Sequence, residues 1–600
     1  MKPIAKQVIL LPEYHRGYGT GHVFRAFSLL SSLKDRDAIG VTLCIAPDHP
    51  VKQLFPEHED HCKDPETLFN LLDDYVTHQE ILFVLDKPHI APDQVHNLFR
   101  YGKVLGIDPG GGGRKHLSYI IDTLPNLYPD TNYSNPWVLP LPELPDLGKT
   151  VPKDPHVLIS LGGEDGAGIT KKLLLDKTFR NWLGKSRVDI LLGPSFRDRS
   201  SVTSLSGSWR VIPPTPNLAQ RLKNYDLVVT IFGLTAFEAL ASGVPVVVVH
   251  PTKYHKKLAR LACLPDLHET RKQFPNVNKA INDLHHLVLQ FNQDRDEKRA
   301  SLSSMIEQFS LAPGGYCPLC GTYDGNVLLR TPERTFCSCP HCGVDFQILF
   351  VPQQIHYSPN YFLEDYKKQY GKTYLEDFDA ISLRAKDRVT IIQALLQKSR
   401  FAEAAPWELL DVGCAYGPFI SQASKMGFQA QGVDISREAI EFVREHLGLP
   451  GWVADIRHID QTIEPWNRQF HGITLWYVIE HFEDLRKVLT LLQNSILPGG
   501  VLALSTPSGR GITRKRREKE FFRQSPMDHY SIWNPRQAVK TLKKYGFKVK
   551  HIRCSSFHPD RYPWPLNKPI FHPLTKVFQQ IFLFGDTMEI YAVKINTRKG

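Results

Sequence analysis

The sequence predicts a multidomain α/β protein, on three observations. Short β-rich apolar runs alternate with amphipathic helical stretches in both halves of the chain, the pattern of parallel sheets covered by helices. Its 600 residues are several times the roughly 100–200 of one domain, which excludes a single core. Five of its ten cysteines fall between Cys317 and Cys342, and the alternation is interrupted there.

Apolar runs at 8–11, 41–46, 81–85 and 104–107, with a helical stretch at 26–33, predict a first parallel lobe over 1–148. The run at 8–11 is too short for a secretion signal and reads as the first strand. A proline-rich segment at 136–145 marks a linker. Runs at 157–161, 188–192 and 227–231, with helical stretches at 170–175 and 235–241, predict a second lobe over 149–275. A polar helical linker, 276–314, leads to the cysteines. A Tyr-rich helical entry, 347–404, follows them, and a third α/β domain occupies 405–600.

Cys317-Pro-Leu-Cys320 and Cys339-Pro-His-Cys342 form C-x2-C-x18-C-x2-C. Each pair puts two thiolates on one tight turn, closed by Gly321 or Gly343, and two such turns supply tetrahedral S4 coordination. The spacing predicts a ribbon over 315–346 holding a structural Zn2+, with no position left for water. A redox pair and an iron–sulfur site are the alternatives, Cys337 is a spare thiol, and His341 faces solvent. Such clustering points to metal in a reducing cytoplasm and not to disulfides.

In the last domain, Asp411-Val-Gly413-Cys-Ala415-Tyr-Gly417 reads as a strand end and a glycine-rich turn before a helix. A second strand ends in Asp434, a carboxylate able to accept both hydroxyls of a ribose. A third ends in Asp455-Ile456, a fourth leads into Glu480-His481-Phe-Glu-Asp484, and Leu497-Pro-Gly-Gly500 turns into a fifth. The order and spacing resemble the class I S-adenosylmethionine-dependent methyltransferases. That resemblance implies a Rossmann-like fold in which Gly413 and Gly417 line the methionine moiety and Asp411 holds the turn. Asp434 would bind ribose, and Asp455 with Ile456 the adenine. Ala415 stands where many relatives have Gly. With the upstream ribbon and the Tyr-rich stretch 357–374, the domain resembles methyltransferases acting on sugars and other small metabolites. A hydroxyl acceptor needs a base, and His481 and His529 are the candidates, each with a structural alternative.

The N-terminal half carries Gly17-Tyr-Gly19-Thr20-Gly21-His22-Val-Phe-Arg25 directly after its first strand, which aims free helix N–H groups at a ligand. Ser160-Leu-Gly162-Gly163 repeats the device in the second lobe. Gly233-Leu-Thr235 opens another helix, with Glu238 one turn further on. This set resembles the GT-B fold, two Rossmann-like lobes facing a cleft. Within that fold it looks like the lipid-II-forming N-acetylglucosaminyltransferases and the UDP-sugar hydrolase of pseudaminic acid synthesis. The resemblance implies that His22, in the position the hydrolase uses to activate its attacking water, is catalytic or binds substrate, with helix capping as the alternative, and that Gly21, Gly162 and Gly163 contact substrate. Gly233 and Thr235 would serve a diphosphate, and Glu238 the uridine ribose. Where relatives have Gly-Gly-Ser-Thr this chain has Phe232-Gly233-Leu234-Thr235, and Lys253-Tyr-His255-Lys256-Lys257 replaces a usual Gln.

The net charge of +11 suggests nucleic acid, but its distribution argues against a specific nucleic-acid partner. Residues 1–300 hold 36 basic and 33 acidic side chains, and the remainder 37 and 29. Six basic residues and one Glu lie in 510–519, read as a solvated insertion or as a lid over an anionic acceptor. No run approaches the 18 apolar residues of a spanning helix. The apolar segment 569–584 is expected to pack on the methyltransferase sheet, with a membrane surface as the alternative. The resulting expectation is a bifunctional enzyme of surface-glycan or glycoprotein metabolism, cytoplasmic or peripheral at the inner membrane face. It would pair a nucleotide-sugar glycosyltransferase with a methyltransferase acting on the sugar or a related metabolite. A hydrolase and a non-catalytic carbohydrate-docking module are alternatives for the first half. The sugar, the acceptor, the methylated atom and the oligomeric state stay open.

Overall fold

A computed structural model describes residues 5–15, 20–36, 39–125, 128–139, 141–142, 151–215, 218–293, 301–312, 314–351, 367, 371–458, 464–554 and 556–595. Gly17, Gly19, the end of the proline-rich linker and most of the Tyr-rich stretch lie outside the described residues. The chain forms two compact units, residues 1–312 with 330–334, and residues 313–329 with 335–600.

The first unit contains two parallel sheets. Seven strands run in the order Cys62–Lys63, Ile39–Cys44, Ala5–Pro12, Gln79–Asp86, Gly102–Ile107, Tyr119–Asp122 and Tyr133–Ser134. Five more run in the order Arg210–Ile212, Arg187–Leu191, His156–Ser160, Leu227–Ile231 and Val246–Val249. In the second sheet Val157 and Ile159 join a core with Trp182 on one face, and Leu158, Val228 and Val248 join another on the opposite face. Burial on both faces explains the continuous apolar runs. Each sheet grows outward in both directions from its first strand. The chain therefore reverses order between Ala5–Pro12 and Gln79–Asp86, and again between His156–Ser160 and Leu227–Ile231. Crevices at the carboxyl ends of such strand pairs are where open α/β sheets bind ligands.

The second unit holds a seven-stranded sheet in the order Gly451–Val453, Gln429–Asp434, Glu408–Val412, Phe470–Trp476, Ile496–Pro507, Thr587–Lys594 and Phe547–Cys554. Thr587–Lys594 is antiparallel to both neighbours. The helix Phe378–Gln397 covers one face through Ala385, Val389, Ile392 and Leu396. Its order reverses between Glu408–Val412 and Phe470–Trp476. A small sheet is formed by Asn326–Arg330, Arg334–Ser338, Asp345–Leu349 and Ser531–Ile532.

Three expectations change. The strand Asp345–Leu349 runs through the boundary drawn at 346, because it pairs with Ser531 and Ile532. The basic run 510–519 is not solvated throughout. It forms the helices Ile512–Arg516 and Glu518–Gln524, and Arg514 turns inward onto the buried Asp345. The segment 569–584 forms the helix His572–Phe582, but its buried side chains are the polar Thr575 and Gln579, and its apolar stripe faces outward.

Candidate functional site

The methyltransferase-like site is built at the strand reversal. After Glu408–Val412 the chain turns through Gly413 (φ +73°), Ala415 (φ +48°) and Gly417 (φ +78°) into the helix Pro418–Lys425. Three left-handed residues in five explain the glycines, and Ala415 bears a cost of roughly 1–2 kcal/mol for the same geometry. The space a side chain on Gly413 would need is taken by Val478, and on Gly417 by Leu447 and Val443. Both glycines therefore serve the turn and its packing, and only their backbone is left for a ligand.

Asp411 does not hold this turn. It is buried in its strand, accepts the Thr474 hydroxyl at 2.6 Å, and is pushed up to about 7 by burial. It ties together the two central strands at the reversal. Asp434 ends the next strand and accepts Ala415 N–H at 2.8 Å and Ser436 N–H at 2.9 Å, one on each oxygen. Burial pushes its carboxyl up in spite of those bonds. An ionised carboxylate has about four acceptor sites, so it retains capacity to accept from the O–H donors of a diol. Asp455 is held by Arg457, at 2.7 Å from one guanidinium nitrogen, and Ile456 beside it is buried.

On the other side of the reversal stand Tyr477 (φ +60°), Glu480, His481 and His529. His481 Nδ1 lies 3.0 Å from Asp528, and the His481 and His529 rings meet edge to face at 4.7 Å between centroids. Burial works against protonation of His481, but Asp528 and Glu480 outweigh it and hold its pKa above the ordinary value. Burial opposes the Asp528 charge too, yet the two histidines bring it down to about 2. Buried Glu480 is pushed up to about 7 by desolvation. Asp528 was not singled out from the sequence. It lies 47 positions from His481, and its only sequence signal is its place directly before His529.

The four cysteines Cys317, Cys320, Cys339 and Cys342 converge, with all four sulfurs within 4.8 Å of one another. The pairs Cys317–Cys342 and Cys320–Cys339 are 3.5 Å apart. A tetrahedron with bonds of about 2.3 Å has edges of about 3.8 Å, so this donor set fits Zn2+. Cys337 lies on the strand Arg334–Ser338 outside the four, and His341 is exposed.

In the first unit, the helix Gly21–Leu33 begins at Thr20, at the carboxyl end of the first strand. His22 Nδ1 lies 2.5 Å from Asp86, which ends the adjacent strand Gln79–Asp86 and is 3% exposed. Arg25 grips the same carboxylate at 2.6 and 2.7 Å and reaches Asp108 at 2.6 Å and Thr123 at 2.7 Å. Burial opposes the Asp86 charge, but Arg25 and His22 bring its pKa down to about 2. Against an ionised carboxylate, Nδ1 is the donor of this hydrogen bond.

Gly162 (φ +86°) and Gly163 follow the strand His156–Ser160, and a Cβ on Gly163 would overlap Thr20. Gly163 is thus needed where the two lobes meet, next to the start of the His22 helix. Gly233 precedes the helix Leu234–Ala241 with open space where its side chain would be and no side-chain cap on the helix. Thr235 lies in its first turn, and Glu238 is pushed up to about 7 by burial alone. A cavity of about 470 Å³ beside the strand Val246–Val249 is lined by His250, Thr252, Lys253, Lys256, His268 and Arg271. Lys253 and Lys256, two of the three lysines in 253–257, thus border this cavity.

A family model described as a methyltransferase domain matches residues 384–552. Among curated proteins, the mitochondrial ubiquinone biosynthesis O-methyltransferase of Schizosaccharomyces pombe is 27% identical over 171 residues, 27% of this chain and 62% of that protein. The Dinoroseobacter shibae enzyme of the same name is 22% identical, over 26% of this chain and 67% of its own. An uncharacterised protein of Methanocaldococcus jannaschii is 31% identical over 111 residues, 17% of this chain and 22% of that protein. The chain thus spans less than two thirds of the length of the first and third of these relatives. Among solved structures, magnesium protoporphyrin IX methyltransferase from Synechocystis with bound SAH aligns with 39% of this chain and 96% of its own, at 13% identity and a TM-score of 0.27. The C-terminal region is a class I S-adenosylmethionine-dependent methyltransferase domain.

Proposed function

We propose that this chain is a bifunctional enzyme of glycan metabolism. Its first unit would use a nucleotide-sugar, and its second would methylate a sugar or related small metabolite. The observation that carries the reading is a repeated one. Two strand reversals, one in each unit, present a histidine paired with a buried or half-buried aspartate.

In the second unit, S-adenosylmethionine would supply an electrophilic methyl group on its sulfonium. Asp434 would fix the ribose, Gly413 and Gly417 would offer backbone to the methionine end, and Asp455 with Ile456 would border the adenine. His481, oriented by Asp528, would take the proton of a hydroxyl acceptor, with His529 beside it. Thiolates of Cys317, Cys320, Cys339 and Cys342 would hold Zn2+ in a closed, structural site.

In the first unit, a GT-B-type cleft would seat the nucleotide-sugar with its diphosphate at Gly233 and Thr235 and its ribose on Glu238. A carboxyl near neutrality and partly buried is ready to bond a diol. His22 Nε2 would remove the acceptor's proton. The same dyad is equally suited to a water, which supports UDP-sugar hydrolysis as the second reading. Incubation with a panel of UDP-sugars separates them. UDP release that requires a sugar or glycan acceptor supports transfer, and release without one supports hydrolysis. Binding without turnover would contradict both. His22→Ala is expected to lower turnover about 10²- to 10⁴-fold, and unchanged turnover would remove the assignment.

A further inference from the structure

The helix His572–Phe582 is inverted relative to a helix that packs on its own domain. Thr575 donates to the carbonyls of Leu566 and Phe571, each at 2.9 Å. Gln579 donates to Ser556 O at 2.6 Å and accepts the Tyr562 hydroxyl at 2.6 Å, and Gln580 donates to Cys554 O at 2.7 Å. These polar groups anchor the helix to the protein. Leu574, Val577, Phe578 and Ile581, spaced as one stripe of a helix, face away from it, with Ile581 67% exposed. The preceding loop adds Ile570 at 82% and Trp564 at 76% exposure. A contiguous apolar face of this kind marks an interaction surface.

The charge around it selects the occupant. Between Arg561 and Gly585 the sequence has Lys568 and Lys576 and no acidic residue. Both lysines are exposed. The basic helix Ile512–Arg516 is joined to the same surface: Lys515 Nζ lies 4.4 Å from the centre of the Phe584 ring, and Arg516 donates to Arg561 O at 2.9 Å. Lys515, Arg516, Arg517 and Lys519 are exposed. An apolar stripe with an interfacial tryptophan, rimmed by cations, matches the boundary between lipid headgroups and acyl chains. No described helix is long and apolar enough to cross a membrane. We infer that residues 564–582, with the basic helix 512–516, form a monotopic docking surface for an anionic lipid bilayer.

The full-length protein, co-sedimented with phosphatidylcholine vesicles and with vesicles containing phosphatidylglycerol, tests this. Wild type should pellet with the anionic vesicles and weakly with the neutral ones. Val577→Asp/Ile581→Asp should stay in the supernatant, and Lys568→Ala/Lys576→Ala should bind anionic vesicles roughly 30-fold more weakly. All these positions are solvent-facing, so an unchanged affinity for S-adenosylhomocysteine and an unchanged circular dichroism spectrum would show that each variant is folded. Brominated lipid should quench tryptophan fluorescence in wild type and much less in Trp564→Phe. Equal pelleting of wild type and the Asp variant would overturn the inference. So would a wild-type dimer, seen by analytical ultracentrifugation, that ignores vesicles and dissociates in the Asp variant, since that result gives the face to a second copy.

Discussion

Two histidine–aspartate pairs, His22–Asp86 and His481–Asp528, lie beside the strand reversals of two different sheets, but their surroundings differ. Asp86 is buried at a strand end, and Arg25 supplies a bidentate cation to it as well as the histidine. Arg25 also bonds Asp108, so Arg25 and His22 together hold the Asp86 charge. Asp528 comes from a loop, where both histidines lower its pKa and Glu480 lies within reach of its charge. Its charge is therefore expressed on His481, whose pKa rises. The Asp528 carboxylate thus both orients an imidazole and makes it a stronger base.

The largest expected effect comes from breaking the first unit's network. Asp86→Ala leaves Arg25 buried with only Asp108 for charge compensation, and loss of one partner of a buried ion pair costs about 3–5 kcal/mol. Thermal or urea unfolding of the first unit would measure it, and a loss below about 1 kcal/mol would show that the network is not structural. The pH dependence follows from the sign of the shift. Because Asp86 is depressed to about 2 in the fold, its stabilisation is fully present above its unfolded pKa and is lost as pH falls from about 4 through about 2. Acid unfolding of wild type should show this dependence, and Asp86→Ala should lack it.

A middle-sized effect tests whether the second unit's reversal binds a diol. Asp434→Ala removes a carboxylate that would make charge-assisted bonds worth about 1.5–3 kcal/mol. Calorimetric titration with S-adenosylhomocysteine should show affinity falling by about 10- to 150-fold. An affinity within twofold of wild type would remove the ribose role. Since Asp434 also accepts from Ala415 and Ser436, one on each oxygen, Asp434→Asn is the companion variant that keeps one of these acceptors.

What the sequence made legible follows from how local each constraint is. The strand ends and glycine turns are written in contiguous residues, because a reversal of the chain needs positive φ at fixed offsets, as at Gly413 and Gly417. The cysteine spacing likewise anticipated four converging sulfurs. Partners contributed by another segment left little trace. Asp86 closes an apolar run whose carboxylate gave no sign that it would meet His22 and Arg25, 64 and 61 positions away. The helix His572–Phe582 misled for a different reason. Its apolar periodicity is that of any amphipathic helix, and only the anchoring bonds of Thr575 and Gln579 reveal which face turns inward.

The smallest effect is also the one that separates the two pairs most directly. A base must be neutral to accept a proton, so methyl transfer to a hydroxyl should rise with pH through the raised pKa of His481. Asp528→Asn removes the charge that raises it while keeping a group of the same shape. The acid limb of kcat should then move to lower pH by about one unit. In the first unit the corresponding substitution, Asp86→Asn, should disturb folding, because it weakens the buried Arg25–Asp86 ion pair. If Asp528→Asn leaves the acid limb in place, His481 is not the titrating base, and His529 becomes the residue to test with the same measurement.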